Sequence, residues 1–544
     1  MNLNFLLTIM TSLILFLMSL SFLFYNTFIY FTIPLEIMLS FQIQLSTMLD
    51  WMSCLFMSTV LMISSMIMMF SMYYIPKKEH KQFHLMLLMF ILSMMILILS
   101  NNLFLMLLGW DMLGMSSYIL VIYYQNWSTA SCGSITLLTN RIGDIMILLS
   151  ISMLLSSYSW ELNMNEMFNL LILIMLMLAS CTKSAQFPFS AWLPMAMSAP
   201  TPISALVHSS TLVTAGIYLM IRITTNIHPI ILTSLMFIST LTALYAGLSA
   251  NWEQDLKKII ALSTLSQMAM MMFAISIKSS SLSYFHLIIH AYFKSLMFMC
   301  AGILIHESSY QDMRLMINSN HNPSINSILA ITNMALMGLP FTSGFFSKDN
   351  IIEFMINSKL ESTLSLLMIM SIGMTSSYSL RMMYLSSKFV MKSKSDSFNH
   401  TSFYSNFPTM MMSFTPILLG TLMLWIMKPQ NMLIFPNSYK FLITITLIMG
   451  FMLGMMLSFK SFIYKLMGKP SLSLWFTHFI STKSFNYWFP IMLISFNNDK
   501  NWQETYGPYN TFNQTMKMSL IPEISKSSTL LLLMMISLLP LMMM

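Results

Sequence analysis

Lys183-Ser184-Ala185-Gln186-Phe187-Pro188-Phe189, then Pro194, Pro200 and Pro202, then Ile203-Ser204-Ala205-Leu206-Val207-His208-Ser209-Ser210: this stretch decides how the chain must fold. A lysine and a histidine flank a proline-rich interruption between two apolar runs. Proline has no N–H to give and disfavours helix at the residue before it, so residues 183 to 202 cannot be one continuous helix. The expectation is a long loop at membrane depth. A second interruption follows at Gly338-Leu339-Pro340 and Gly344, just before Ser347-Lys348-Asp349, and again a lysine adjoins the break. Two interrupted helices in comparable positions of two halves are the sequence pointer to inverted-repeat transporters, in which unwound backbone lies beside a buried ion site. Ordinary proline kinks are the competing reading.

Working outward, 56% of the 544 residues are hydrophobic and only 8% are charged. A hydrocarbon span takes about 20 helical residues, so the chain has room for about 14 to 16 crossings. The reading is all-α and polytopic, with spans near 4–24, 48–72, 84–100, 102–124, 133–157, 168–187, 203–223, 230–250, 257–277, 283–306, 325–345, 363–386, 408–427, 438–460 and 528–544. A transmembrane barrel would show segments of about ten alternating residues instead. Met1 to Phe24 has no basic leader and no small-residue cleavage site, so it reads as a retained first helix. The net charge of +8 is scattered through short loops such as Lys77-Lys78-Glu79-His80-Lys81, which argues against nucleic-acid binding. Cys54, Cys132, Cys181 and Cys300 stand singly in apolar runs, without metal, cluster or disulfide spacing. Methionine is enriched to 65 residues, which fits either translation under a mitochondrial code or a flexible filler between helices.

An ionisable group in the bilayer core costs about 2.5 kcal/mol or more and is by default functional. Asp111, Asp144, Lys183, His208, His286, His290, Lys294 and Lys348 all fall in such positions. His286, His290 and Lys294 are four apart and so form one stripe about 12 Å long, a ladder suited to carrying protons. A metal site is the rival for the two histidines, but the intervening Leu287, Ile288 and Ile289 supply no glutamate and no third ligand is evident. Asp111 is the only acid within its own apolar span and is the expected counter-ion of Lys183, unless Lys183 snorkels to the headgroups. Opposite charges 4 Å apart attract by about 4 kcal/mol at an effective dielectric of about 20. One charge crossing roughly 150 to 200 mV costs about 3.5 to 4.6 kcal/mol, so one ion-pair rearrangement is a lever of the right size.

Beyond residue 390 the interior charges thin out. Residues 461–527 mix Trp475, Tyr487, Trp488 and Trp502 with Lys, Asn and Gln, which suits a segment lying along the membrane interface, interrupted at Gly507-Pro508. Residues 528–544 read as a terminal anchor.

Gly109-Trp110-Asp111, Asn140-Arg141-Ile142-Gly143-Asp144, Lys183-Ser184-Ala185-Gln186, Pro200 to Ser210, Asp255-Leu256-Lys257-Lys258, Ser263-Thr264-Leu265-Ser266-Gln267, His290-Ala291-Tyr292-Phe293-Lys294 and Gly344 to Asp349 occur in one order along residues 100–390. In this wording the chain resembles the NADH-ubiquinone oxidoreductase chain 5 family, the distal antiporter-like membrane subunits of respiratory complex I. The resemblance implies two inverted antiporter-like repeats. It makes Asp111 the acidic partner of Lys183, with aspartate where the family usually has glutamate, and His208 the relay towards the centre. Lys257, His286, His290 and Lys294 become the central axis, Lys348 beside Asp349 the second half-channel, and Asp144 a link to the neighbouring subunit. For Lys257, a loop entering a helix is the competing reading. The implied division is 1–100 N-terminal helices, 101–390 proton-translocating core, 391–460 peripheral helices, 461–527 lateral segment and 528–544 anchor. The implied setting is the mitochondrial inner membrane, with protons, lipids and other membrane-arm subunits as partners, above all the adjacent antiporter-like subunit. No cofactor is expected on this chain, since NADH, flavin, iron-sulfur clusters and ubiquinone belong elsewhere in the complex. A cation/proton antiporter, or an assembly subunit with an inactive channel, are the rivals.

Overall fold

The computed structural model describes residues 2–37, 41–154, 160–162, 169–224, 228–316, 323–357, 362–387, 402–427, 437–458, 468–472, 488–503, 507–519 and 532–536. The chain divides into two units, Met1–Trp475 and Phe476–Met544.

In the first unit the helices are α1 (Asn2–Tyr25), α2 (Trp51–Tyr74), α3 (His80–Leu99), α4 (Leu103–Val121), α5 (Trp127–Met153) and α6 (Leu170–Lys183). Across the first break come the short α7 (Trp192–Met195) and the single turn α8 (Thr201–Ile203), a π-helical stretch Ser204–Thr211, and α9 (Leu212–Ile223). Next are α10 (Pro229–Trp252), α11 (Leu256–Ser276), α12 (Ser280–Ser308), α13 (Pro323–Met337), α14 (Ser343–Asn357) and α15 (Ser362–Ser387). The series closes with α16 (Phe403–Ser413), α17 (Thr415–Met427), α18 (Asn437–Ser458) and the short α19 (Gly468–Leu472).

The helix starts are written in polar caps. Asp50 accepts the Ser53 amide at 3.0 Å while Ser53 Oγ accepts the Asp50 amide at 2.9 Å, a reciprocal box that opens α2. Asn102 accepts the Phe104 amide at 3.1 Å and opens α4. Pro229, at the first turn of α10, has no amide to leave unpaired there.

Among the described residues, eleven helices are long and apolar enough to cross a membrane. Several expected crossings are instead short or split. The span expected at 168–187 is the fourteen-residue α6, stopped after Lys183, and that expected at 325–345 is divided into α13 and α14. Both follow from backbone that proline and glycine prevent from closing helical hydrogen bonds. Of the anchor expected at 528–544 the structure describes residues 532–536, and of the segment expected at 461–527 it describes 468–472, 488–503 and 507–519; the rest of both lies outside the described residues. A second difference is a two-stranded hairpin, β1 (Ile29–Ile37) with β2 (Phe41–Leu49), antiparallel with Ile29 opposite Leu49. Its β-branched and aromatic residues, with Gln42, Gln44 and Ser46 alternating in β2, favour strand over helix between α1 and α2.

Three segments are enclosed on all sides: Thr201–Ile223, α11 and α12. On one flank α3 to α6 pack in succession, with α6 against α9; α13, α14 and α17 cover α12 on the other. The enclosed segments carry half of the polar candidates, while the most hydropathic helices lie less buried, so the fold wraps its charges rather than its greasiest helices. The second unit contains the helix Pro508–Ser519, on which Tyr509, Phe512 and Met516 share one side.

Candidate proton-carrying site

At the first break α6 ends on Lys183, Ala185 adopts a left-handed φ of +55°, and the chain runs through Pro188 to the short α7, which contains Pro194. Lys183 is fully enclosed. Its Nζ donates to the Trp110 carbonyl at 2.9 Å and lies 4.9 Å from the centre of the Trp110 ring. Gly114, one turn further along α4, leaves room for the ammonium, which stands 3.9 Å from where a Cβ would be. The snorkelling alternative therefore fails.

The expected Lys183–Asp111 pair does not form. Asp111 contacts Arg141 of α5 at 2.5 Å, and the same guanidinium nitrogen reaches Asp144 at 3.3 Å. Successive residues on a helix point about 100° apart. With Trp110 turned into the core, Asp111 is aimed sideways at α5, where Arg141 meets it. The Trp110 ring thus lies against Lys183, and its indole Nε1 is buried without a hydrogen-bond partner. Arg141 and Trp110 belong to the site and were not singled out by sequence reasoning, although both sit inside motifs it quoted. Helices α5 and α6 approach closely here because Gly143 faces Thr182, and a Cβ on Gly143 would collide with the Thr182 hydroxyl.

His208 lies in the π-helical stretch and is buried with both ring nitrogens unpartnered. The Ser209-Ser210-Thr211 run explains the local unwinding, since these hydroxyls bond carbonyls four and five residues back: Ser210 Oγ to Leu206 O at 2.9 Å and Thr211 Oγ1 to Leu206 O at 2.7 Å. The break itself ties the two ends together. Trp192 donates from Nε1 to the Thr182 carbonyl at 3.0 Å and packs its ring 6.3 Å from that of His208.

The three residues expected on one helical stripe share one helix. His286, His290 and Lys294 are all fully enclosed on α12, with the two imidazoles 6.3 Å apart. Lys294 donates to Ser263 Oγ of α11. His286 holds Ser347 Oγ at 2.7 Å through Nδ1 and Gln267 Oε1 at 3.1 Å through Nε2, whereas both nitrogens of His290 are unpartnered. Lys257, although it begins α11, is 3% exposed and donates to the Ala199 carbonyl at 3.1 Å, so it faces inward rather than into a surface loop.

At the second break α13 ends at Met337, Gly338 takes a φ of +83°, and α14 starts at Ser343. The terminal carbonyls of α13 lose their helical partners, Pro340 offering no N–H to Leu336 O. Lys348 fills the gap: its Nζ donates to Leu336 O and lies 3.5 Å from Thr375 Oγ1 of α15. Asp349, next in α14, is half-buried. Lys183, Lys257 and Lys348 thus all end on backbone carbonyls, and two of these carbonyls, Ala199 and Leu336, belong to breaks. Among the described residues no group of three or more His, Cys, Asp or Glu is placed to hold a metal ion.

This arrangement of a multi-pass helical bundle, two broken helices and buried lysines with a histidine axis defines an antiporter-like, proton-translocating membrane subunit. Residues 100–377 match the family described as NADH:quinone oxidoreductase/Mrp antiporter, TM. The flanking regions match more specific families: residues 36–84 the chain 5 N-terminus of NADH-ubiquinone oxidoreductase (complex I), and 378–544 the NADH dehydrogenase subunit 5 C-terminus. The chain is 42% identical to NADH-ubiquinone oxidoreductase chain 5 of Locusta migratoria over 460 residues, covering 79% of each chain. It is 42% identical to that of Aedes aegypti over 461 residues, covering 81% of this chain and 79% of the other. A solved Mrp complex from Dietzia sp. DQ12-45-1b shares the fold, with a TM-score of 0.71 at 22% identity over 98% of this chain and 59% of that one. The chain belongs to the NADH-ubiquinone oxidoreductase chain 5 family, and is a subunit of complex I.

Proposed function

We propose that the buried lysines of this chain carry the protons: Lys183 in a first half-channel, His208 as the relay inward, Lys257, His286, His290 and Lys294 along the centre, and Lys348 with Asp349 in the second. The reading is carried by one observation. Four lysines and three histidines, each at most 3% exposed, share the enclosed heart of one bundle, and the lysines rest on neutral oxygens rather than on carboxylates. A cation held by dipoles can release a proton without leaving a bare carboxylate behind. Asp111, Asp144 and Arg141 form the adjoining charge cluster, and a shift of Asp144 from Arg141 towards Lys183 is the rearrangement that would load it. Asp144 is also, on this reading, the acid that links the axis of this chain with that of the neighbouring antiporter-like subunit.

Residues 101–390 serve as the translocating core, and 461–527 with 528–544 as a lateral tie to other membrane-arm subunits. The setting is the mitochondrial inner membrane. NADH, flavin, iron-sulfur clusters and ubiquinone are handled by other subunits. The test is Lys183→Ala and Lys348→Ala in the assembled complex, reconstituted in vesicles, with protons moved per NADH oxidised as the readout. A fall in that ratio at normal assembly is expected. Undiminished pumping by both variants overturns the reading, and sodium-dependent transport by the isolated chain would favour an exchanger instead.

A further inference from the structure

Two side chains that no role above uses grip His286 from opposite sides. Gln267, on α11, presents Oε1 to Nε2 at 3.1 Å, and Ser347, on α14 immediately before Lys348, presents its hydroxyl to Nδ1 at 2.7 Å. All three residues are fully enclosed. An amide oxygen can only accept, so the imidazole nitrogen facing it carries the hydrogen, and in the neutral ring the other nitrogen is then a bare acceptor. From this geometry we infer that Gln267 and Ser347 are positioning residues that fix His286 as the Nε2–H tautomer and make Nδ1 its one place of proton uptake, on the side of Lys348.

Ser347 adds a second state. Its hydroxyl also lies 3.3 Å from the Gly344 carbonyl. When His286 is neutral, Ser347 donates to Nδ1. When His286 takes a proton, Nδ1–H donates to Ser347 Oγ, and the hydroxyl hydrogen turns to Gly344 O. No bond is left unmade in either state, and the proton remains on Nδ1. Gly344 is the residue where α14 crosses α13, and a Cβ there would strike the Ala335 carbonyl. The charge of His286 is therefore reported by one hydroxyl to the same break whose Leu336 carbonyl holds Lys348. Lys348 of α14 and Lys294 and His290 of α12 are the charged and titratable groups around His286, with Tyr378 of α15 meeting Ser266 beside Gln267 at 3.2 Å.

This inference rests on the proposed function, and its test separates the two. In the assembled complex in vesicles, Gln267→Met, Ser347→Ala, Ser347→Thr and Lys348→Ala are compared for pumping rate across a pH series. Gln267→Met and Ser347→Ala are expected to slow pumping roughly tenfold and to displace its pH profile, as loss of a hydrogen bond to a group that becomes charged requires. Ser347→Thr, which keeps the hydroxyl, should restore the wild-type profile. A wild-type rate and profile in Ser347→Ala, with Lys348→Ala impaired, overturns the positioning role and leaves the proposed function standing. Normal pumping in Lys348→Ala and in Lys183→Ala as well removes both. If Gln267→Met does not assemble, Ser347→Ala decides, because it deletes a single atom.

Discussion

Arg141→Met is the perturbation that tests how the first half-channel is controlled. Its guanidinium binds Asp111 at 2.5 Å and Asp144 at 3.3 Å. At an effective dielectric of about 20 these separations correspond to about 7 and 5 kcal/mol of attraction before screening. The Asp111 arm is the weaker one in practice, since the two side chains are 39% and 41% exposed, and such open pairs retain at most about 1 kcal/mol. The Asp144 side chain is only 10% exposed, so its arm keeps more of its strength. Removing Arg141 leaves two carboxylates and one nearby cation, Lys183. About 1.4 kcal/mol of the attraction redirected to Lys183 is enough to slow proton release tenfold. The assay is pumping by the assembled complex in vesicles, measured beside NADH oxidation. The expected result is a loss of roughly tenfold or more in Arg141→Met, with Arg141→Lys largely preserving the rate. Wild-type pumping by Arg141→Met at normal assembly would refute the claim that Arg141 competes with Lys183 for Asp144.

Arg222 of α9 and Asp50 before α2 form a largely enclosed pair at 2.5 and 2.8 Å, braced by Tyr218, so Arg222→Met alone should cost about 3–5 kcal/mol of stability, and Arg222→Met with Asp50→Asn much less, read from thermal unfolding of the complex. Burial works to raise the Asp50 carboxyl, but the Arg222 hydrogen bonds and charge outweigh it and hold the group below the usual carboxylate value. Its stabilisation is therefore complete above that value and is lost only as pH falls through the depressed one, so unfolding between about pH 6 and 8 should show no change traceable to this pair. Gly344→Ala should destabilise the α13–α14 crossing by about 1–3 kcal/mol and depress pumping per assembled complex, whereas Gly373→Ala, whose Cβ would meet Thr446 O at 3.4 Å, should be milder on both counts.

The breaks were legible because proline and glycine act locally: Pro188 and Pro340 break the helix wherever the rest of the chain lies. The His286, His290 and Lys294 stripe was legible for the same reason, since helical spacing alone puts the three on one face. The strands between α1 and α2 were harder to read, because a short apolar run of Ile, Tyr, Phe and Thr suits either a strand or part of a span. The π-helical stretch had a signal in Ser209-Ser210-Thr211, three hydroxyls together in an apolar helix.

The sequence by itself determined that most of the candidate groups are buried, the part-exposed Asp111 and half-buried Asp349 apart, and where the helices fail, because hydropathy, proline chemistry and helical period are properties of neighbours along the chain. Tertiary structure decided who touches whom. It gave Asp111 to Arg141 rather than to Lys183, set the ring and carbonyl of Trp110 against Lys183, and brought Gln267 and Ser347 to the two nitrogens of His286. Those choices depend on the rotation of α4, α5, α11, α12 and α14 about their axes. That rotation is fixed by side-chain packing between helices distant in sequence, which no local pattern encodes.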